Sequence, residues 1–151
     1  MENYTLLLEN ARKNCKIADN MAYVSLSLLK ENKLIIKVIE ELTKSAENLV
    51  KAYLLYEARL QRVKLSKNPE QNIEIFRKTS LRYIDKSQAE DLLKLLELQK
   101  KHKESDFEFM RNNKFVIMSK NKYETVEIDT VKRLINSVKR SISNFPGERK
   151  I

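Results

Sequence analysis

The first sixty residues carry two stripes of apolar and small side chains with helical spacing. The first stripe predicts a helix from about residue 3 to residue 30 and comprises Tyr4, Leu8, Ala11, Cys15, Ala18, Ala22, Ser25 and Leu29. The second predicts another long helix and comprises Ile35, Ile39, Leu42, Ala46, Leu49, Tyr53, Tyr56 and Leu60. Because only the polar segment Glu31-Asn32-Lys33 separates the stripes, we expect an antiparallel helical hairpin.

Two helix starts follow this hairpin. Asn68 can accept a backbone N–H as an N-cap, and Pro69 suits the first helical position, so a third helix should run from here to about Ile84. Ser87 and Glu90 have the spacing of a capping box, which predicts the start of a fourth helix. Its apolar side comprises Ala89, Leu92, Leu93 and Leu96.

The pattern changes after Asp106. A short apolar run at 115–118, a turn-like segment at 119–122 and alternating residues at 123–128 predict a β-hairpin within residues 107–128. Because a lone hairpin is marginally stable in water, it should lie against the helices. Asp129 is the expected N-cap of a last helix at 130–144. The apolar face of that helix comprises Val131, Leu134, Ile135, Val138 and Ile142.

These elements predict a mainly α fold: an antiparallel up-and-down helical bundle of four to five helices with a small β-hairpin near the C-terminus. A chain of 151 residues fits a single domain, 1–151, with its core at 3–104. One glycine and two prolines argue against a sheet-dominated fold and against a glycine-cradled phosphate site. We expect a soluble, cytoplasmic protein with no membrane partner, because no apolar stretch approaches about 18 residues and no signal peptide is recognisable.

The charge balance adds a candidate partner. Thirty Lys and Arg against twenty-one Asp and Glu give a net charge of +9, which favours association with a polyanion such as RNA or DNA. The last helix has a basic face that could join cations of the hairpin, with an aromatic ring for base stacking. The predicted nucleic-acid-binding residues are Arg111, Lys114, Lys120, Lys122, Tyr123, Lys132, Arg133, Lys139 and Arg140. The alternative is an ordinary lysine-rich solvated surface.

Catalytic signals are weak. A single cysteine and a single histidine nearly exclude a His/Cys metal site, and we expect neither a metal nor a cofactor. Cys15 lies on the first apolar stripe and should be a buried small hydrophobe. His102 lies in a basic helix end, where a solvated or capping role is expected. Glu47 is expected to pair with Lys51 one helical turn later.

The second predicted helix contains a family-like motif. Residues 45–55, Ser-Ala-Glu-Asn-Leu-Val-Lys-Ala-Tyr-Leu-Leu, resemble the HEPN-domain helix that reads approximately Ala-Glu-x-x-x-Lys-Ala-x-Leu. Ala46, Glu47, Lys51 and Ala52 occupy the motif positions, and agreement over residues 3–104 is looser. The resemblance implies an up-and-down bundle that dimerises and binds RNA, nucleotides or a nucleotidyltransferase-like protein partner. The hairpin and the last helix would then extend that bundle.

The resemblance does not carry over catalysis. Many HEPN domains are metal-independent ribonucleases that use an Arg-x(4–6)-His motif across a dimer interface. The residues at positions 95–97, before His102, are Leu, Leu and Glu, so the required arginine is absent.

Three hypotheses follow. The first is a non-catalytic, HEPN-like module that dimerises through the stripes of its first two helices and binds a protein partner or RNA. The second is a nucleic-acid-binding protein that uses the basic hairpin and last helix. The third is a ribonuclease with an unconventional site at His102.

Overall fold

The computed structural model describes residues 3–28, 32–111, 114–120 and 122–146. Within these ranges the chain forms five α-helices, one short 3₁₀ turn and a three-stranded antiparallel sheet near the C-terminus. The predicted mainly helical bundle with a small β element is therefore confirmed. Ser25, Leu29 and Glu31, which the sequence places at the end of the first stripe and in the polar break, have side chains outside the described set.

The first two helices, α1 (Tyr4–Leu28) and α2 (Asn32–Arg59), pack as an antiparallel pair. The Ser45 hydroxyl donates to the Ala11 carbonyl at 2.7 Å, and the Asn14 amide donates to the Glu41 carboxylate at 2.9 Å. Ala11, Ala18 and Ala46 have no exposed surface, so small side chains lie where the helices meet. Asn32 and Lys33, which the pattern placed in the polar break, belong to α2.

The end of α2 differs from the prediction. Leu60 lies beyond the helix and is 44% exposed, although it continues the apolar stripe. The chain turns at Gln61, whose φ is +58°, and the Arg62 N–H donates to the Glu57 carbonyl at 3.1 Å. A left-handed residue at this position is a common way to end a helix, and it takes Leu60 away from the core.

The next two helices begin with polar caps. Asn68 accepts the Glu70 N–H at 3.0 Å and opens α3 (Pro69–Thr79), as predicted. A 3₁₀ turn at Ser80–Arg82 follows, and α4 spans Lys86–Glu104. The expected capping box at Ser87 is wrong, because Asp85 occupies the N-cap position and its N–H donates to the Gln88 side chain at 3.2 Å. Asp85 and Gln88 have the same three-residue spacing two positions earlier.

The β element has one strand more than predicted. Strands β1 (Phe107–Arg111), β2 (Lys114–Ser119) and β3 (Lys122–Glu127) pair antiparallel in that order. The pair β2–β3 is the predicted hairpin, and β1 adds to its other edge. The last helix, α5 (Ile128–Ser143), follows β3 directly. Asp129 was expected to be its N-cap but lies in the first turn, because Glu127 occupies the cap position.

Helix α5 is part of the core and not an extension of it. Val131, Leu134 and Val138 are fully buried and join the same apolar cluster as the side chains of α1, α2 and α4. The buried Tyr53 hydroxyl of α2 donates to the Ser141 carbonyl of α5 at 2.6 Å. The core therefore reaches well beyond the predicted limits of residues 3–104.

The core also contains the stripes that were expected to form a dimer seam. Ala18 of α1 and Ala46 and Tyr53 of α2 are at most 1% exposed within a single chain. A dimer of this chain would need another surface, because both stripes are already buried between the helices of a single chain.

Replacing Ala18 by Leu should lower the free energy of unfolding by about 1–3 kcal/mol, because extra methylene groups must enter a closely packed helix pair. Urea unfolding followed by circular dichroism measures the loss. Lys16→Leu is the matched control, because it adds the same side chain to the exposed face of the same helix. Equal stability of the two variants would contradict the close packing of α1 on α2.

Candidate nucleic-acid interface

The predicted basic face of α5 is divided by acidic residues from other helices. The Arg133 guanidinium donates to both carboxylate oxygens of Asp91 in α4, at 3.1 and 3.3 Å. Lys139 Nζ lies 2.7 Å from a carboxylate oxygen of Asp19 in α1. Lys132 and Arg140 are exposed and have no ion pair within the described part of the chain. Two of the nine predicted residues, Arg133 and Lys139, are therefore paired with carboxylates of other helices.

The two faces of the sheet differ sharply. Alternate residues of a strand point to opposite faces, and the register places Phe115, Ile117 and Val126 on one face, where all three are buried. That inner face lies toward the helices. The other face carries Phe107, Phe109, Arg111, Lys114, Val116, Met118, Tyr123, Thr125 and Glu127. We call this second face the open face.

Large apolar side chains form a row across one end of the open face. Phe107 pairs with Met118, and Met118 pairs with Tyr123, so the three side chains cross the sheet side by side. Phe107 is 61% exposed, Met118 37% and Tyr123 73%. The Phe109 ring lies next to that of Phe107, with centroids 5.3 Å apart. An exposed cluster of this kind is typical of a binding surface.

Cations lie at both ends of the sheet. Arg111 and Lys114 are cross-strand neighbours at the β1–β2 end, and Lys120 follows β2 at the other end. Lys120 is six positions after Lys114, which corresponds to about 20 Å along an extended strand. The Lys114 ion pair with Glu127 is 3.9 Å long and largely exposed, so it holds Lys114 weakly. Rings between cations can stack on bases while the cations contact phosphates.

Tyr123, Arg111, Lys114 and Lys120 were predicted from the sequence, but Phe107 and Phe109 were not. Phe107 and Phe109 belong to β1, which the hydrophobic pattern did not reveal. A usable signal was present, because residues 107–111 read Phe-Glu-Phe-Met-Arg, with two aromatic residues in period-two alternation. Lys122 has the opposite side-chain direction from Tyr123 and lies on the inner side of the sheet.

Polar contacts attach the inner face of the sheet to the helices. The Glu124 carboxylate, which is mostly buried, accepts from the ammonium groups of both Lys94 and Lys101 in α4. His102 Nδ1 lies 2.6 Å from a Glu108 carboxylate oxygen of β1. Such contacts fix which face of the sheet lies against the bundle, and among the described residues of the open face Val116 is the one that is buried.

His102 is more constrained than expected. Its Nε2 lies 3.4 Å from a carboxylate oxygen of Glu40 in α2, so both ring nitrogens face carboxylates. The expectation of a solvated or capping histidine is therefore corrected, since the ring bridges α2, α4 and β1. A general base must have a nitrogen within reach of its substrate's proton. In this arrangement carboxylates already occupy both positions.

The HEPN-like motif residues hold α2 in place. Ala46 and Ala52 are fully buried. Glu47 forms the predicted ion pair with Lys51, at 3.3 Å, and accepts the Gln99 amide of α4 at 2.8 Å. Partial burial acts to raise the pKa of Glu47, but the Gln99 hydrogen bond and the Lys51 charge outweigh it, so the pKa is lowered. The motif thus links α2 to α4.

Cys15 is buried, as predicted. Burial and, to a lesser extent, the Asp19 carboxylate raise the pKa of its thiol to about 11, while the Lys139 charge partly opposes them. Because the thiolate is the nucleophilic form, Cys15 is poorly suited to nucleophilic catalysis near neutral pH. Among the described residues no group of three or more His, Cys, Asp or Glu side chains is arranged so that it could hold a metal ion, and no described helix is long and apolar enough to cross a membrane.

Comparison with known proteins finds no matching family model, no matching curated protein and no matching solved structure. The HEPN resemblance of residues 45–55 therefore stays a prediction.

Replacing Glu124 by Gln should lower the free energy of unfolding by about 1–2 kcal/mol, because Lys94 and Lys101 lose the mostly buried carboxylate between them. Amide hydrogen exchange should accelerate most in β2 and β3. Glu127→Gln, on the same strand but 62% exposed, is the matched control and should cost less than about 0.5 kcal/mol. Equal effects of both variants would mean that Glu124 does not secure the sheet.

Native Cys15 should react with a thiol reagent at pH 8 at least about a hundredfold more slowly than in urea, because a pKa near 11 reduces the thiolate fraction by that factor relative to 9.0. Because the pKa of Cys15 is raised in the folded protein, the protonated thiol favours the folded state. This contribution to the free energy of unfolding is present below about pH 9 and is lost as the pH rises toward 11. Absorbance of the released reagent measures the rate. Equal rates in both conditions would show that the thiol is accessible.

Proposed function

We propose that this chain is a non-catalytic module that binds single-stranded nucleic acid, RNA in particular, on the open face of its sheet. The observation that carries the proposal is the exposed row of Phe107, Met118 and Tyr123, with cations at both ends of the sheet. Proteins that bind single strands combine these two features, because every base has a π-face and every nucleotide a phosphate.

The rings favour a single strand over a duplex. A stacked base pair hides the faces of its bases, whereas unpaired bases can lie on an aromatic side chain. Phe107, Phe109 and Tyr123 offer rings for two or three bases, as open sheet surfaces do in RNA-binding domains.

The charge favours a polyanion over a second copy of the chain. A net charge of +9 opposes self-association, and the open face itself carries Arg111 and Lys114 against Glu127. A nucleotidyltransferase-like protein partner stays a prediction of the HEPN resemblance. The described surface gives stronger support to nucleic acid.

The double variant Phe107→Ala/Tyr123→Ala should bind an unstructured RNA of about ten nucleotides roughly 10- to 100-fold more weakly, because each stacked base contributes about 1–3 kcal/mol. Fluorescence anisotropy at about 50 mM and about 200 mM salt measures the affinity, and a DNA of the same sequence shows whether the sugar matters. Tyr23→Ala is the matched control, because Tyr23 is 78% exposed but lies on α1.

A second pair of variants separates the open face from α5. Arg111→Gln/Lys114→Gln should weaken binding and reduce its salt dependence, whereas Lys139→Gln/Arg140→Gln should have little effect. The reverse result would move the interface to α5. No binding by the wild type, together with a change in solution mass on loss of Phe107 and Tyr123, would overturn the proposal and assign the open face to protein association.

A further inference from the structure

A groove lies beside the Tyr123 end of the open face. It has a volume of about 350 Å³ and lies between the C-terminal end of α4 and the β2–β3 end of the sheet. Its lining includes Lys101, Ser119, Lys120, Lys122 and Tyr123. This volume is within the range of sites that hold a small molecule or part of a larger ligand.

The charges in the groove are not balanced. Lys101 and Glu124 both line it, but they pair with each other. Lys120 and Lys122 are exposed and have no ion pair with any carboxylate in the described ranges. With Glu104 and Glu124 counted against Lys101, Lys120 and Lys122, the lining keeps a net charge of +1.

Glu104 adds an acceptor to this cationic site. It lines the groove and has no ion pair among the described residues. A ligand that satisfies all three groups carries an anion for the lysines and a hydroxyl or amino group that can donate to the carboxylate. A nucleotide with a ribose hydroxyl and a phosphate has this combination.

A terminal phosphate suits the groove better than an internal one. A phosphate monoester carries about −1.5 to −2 charge near pH 7, whereas a diester linkage carries a single charge. Two lysines without carboxylate partners favour the more highly charged group. A strand stacked along the open face would reach this groove only at one of its ends, because the groove adjoins the last ring, Tyr123.

We propose that the groove binds the phosphate monoester at one end of the nucleic-acid strand, and this inference rests on the proposed function. Lys120 and Lys122 contact the phosphate, and the Glu104 carboxylate accepts a hydrogen bond from the terminal nucleotide. The chain therefore prefers nucleic-acid strands that are unpaired and that end in a phosphate monoester.

The experiment compares three RNAs of one sequence: a 5′-monophosphate, a 3′-monophosphate and an RNA with neither. One of the two phosphorylated strands should bind about tenfold more tightly than the others, because charge-assisted hydrogen bonds form at one end only. Lys120→Gln/Lys122→Gln should abolish this advantage and change the binding of the unphosphorylated RNA much less. Lys103→Gln, an exposed lysine of α4 outside the lining, is the matched control.

The outcomes separate this inference from the function on which it rests. Equal affinity for all three RNAs would overturn the terminal-phosphate site and leave the open face as a binding surface. An equal gain from either phosphate would reflect charge alone and would also overturn the site. No binding of any RNA would refute the proposed function itself.

Discussion

The close contact between α1 and α2 is the constraint on which the rest of the structure depends. Ala11, Ala18 and Ala46 have no exposed surface, and the Ser45 hydroxyl reaches the Ala11 carbonyl across the helix pair. A larger side chain at any of these positions would separate the helices. Because α4 and α5 both pack on this pair, the position of every later element follows from it.

The sheet depends on the bundle in a different way. Apolar side chains such as Phe115 and Ile117 bury its inner face, and charged contacts at Glu124 and His102 fix its orientation. A three-stranded sheet needs only one buried face. The opposite face carries the exposed row of Phe107, Met118 and Tyr123.

The same packing accounts for the absence of an obvious nucleophile or base in the described residues. Cys15 is buried, and its pKa is raised. His102 is held between the carboxylates of Glu40 and Glu108. Both residues therefore lie at contacts between elements of the fold.

Sequence patterns predicted the elements better than their ends. The two long stripes, the Asn68–Pro69 cap and the alternation at 123–128 each reflect local physical chemistry that needs no distant partner. The N-cap residues were harder to predict, because the sequence around Asp85 resembles the sequence around Ser87. The same is true of Glu127 and Asp129 at the start of α5. Leu60 also followed the helical period, yet the turn at Gln61 takes it out of the core.

The sequence by itself determined the fold class, the basic charge and the burial of Cys15, because helical period, composition and apolar position are local properties of the chain. Only the tertiary structure decided which basic residues form a surface. Arg133 and Lys139 face Asp91 and Asp19, which lie 42 and 120 positions away in the sequence. The tertiary structure also places Phe107, Met118 and Tyr123 side by side, because strand pairing brings together residues that no local pattern connects.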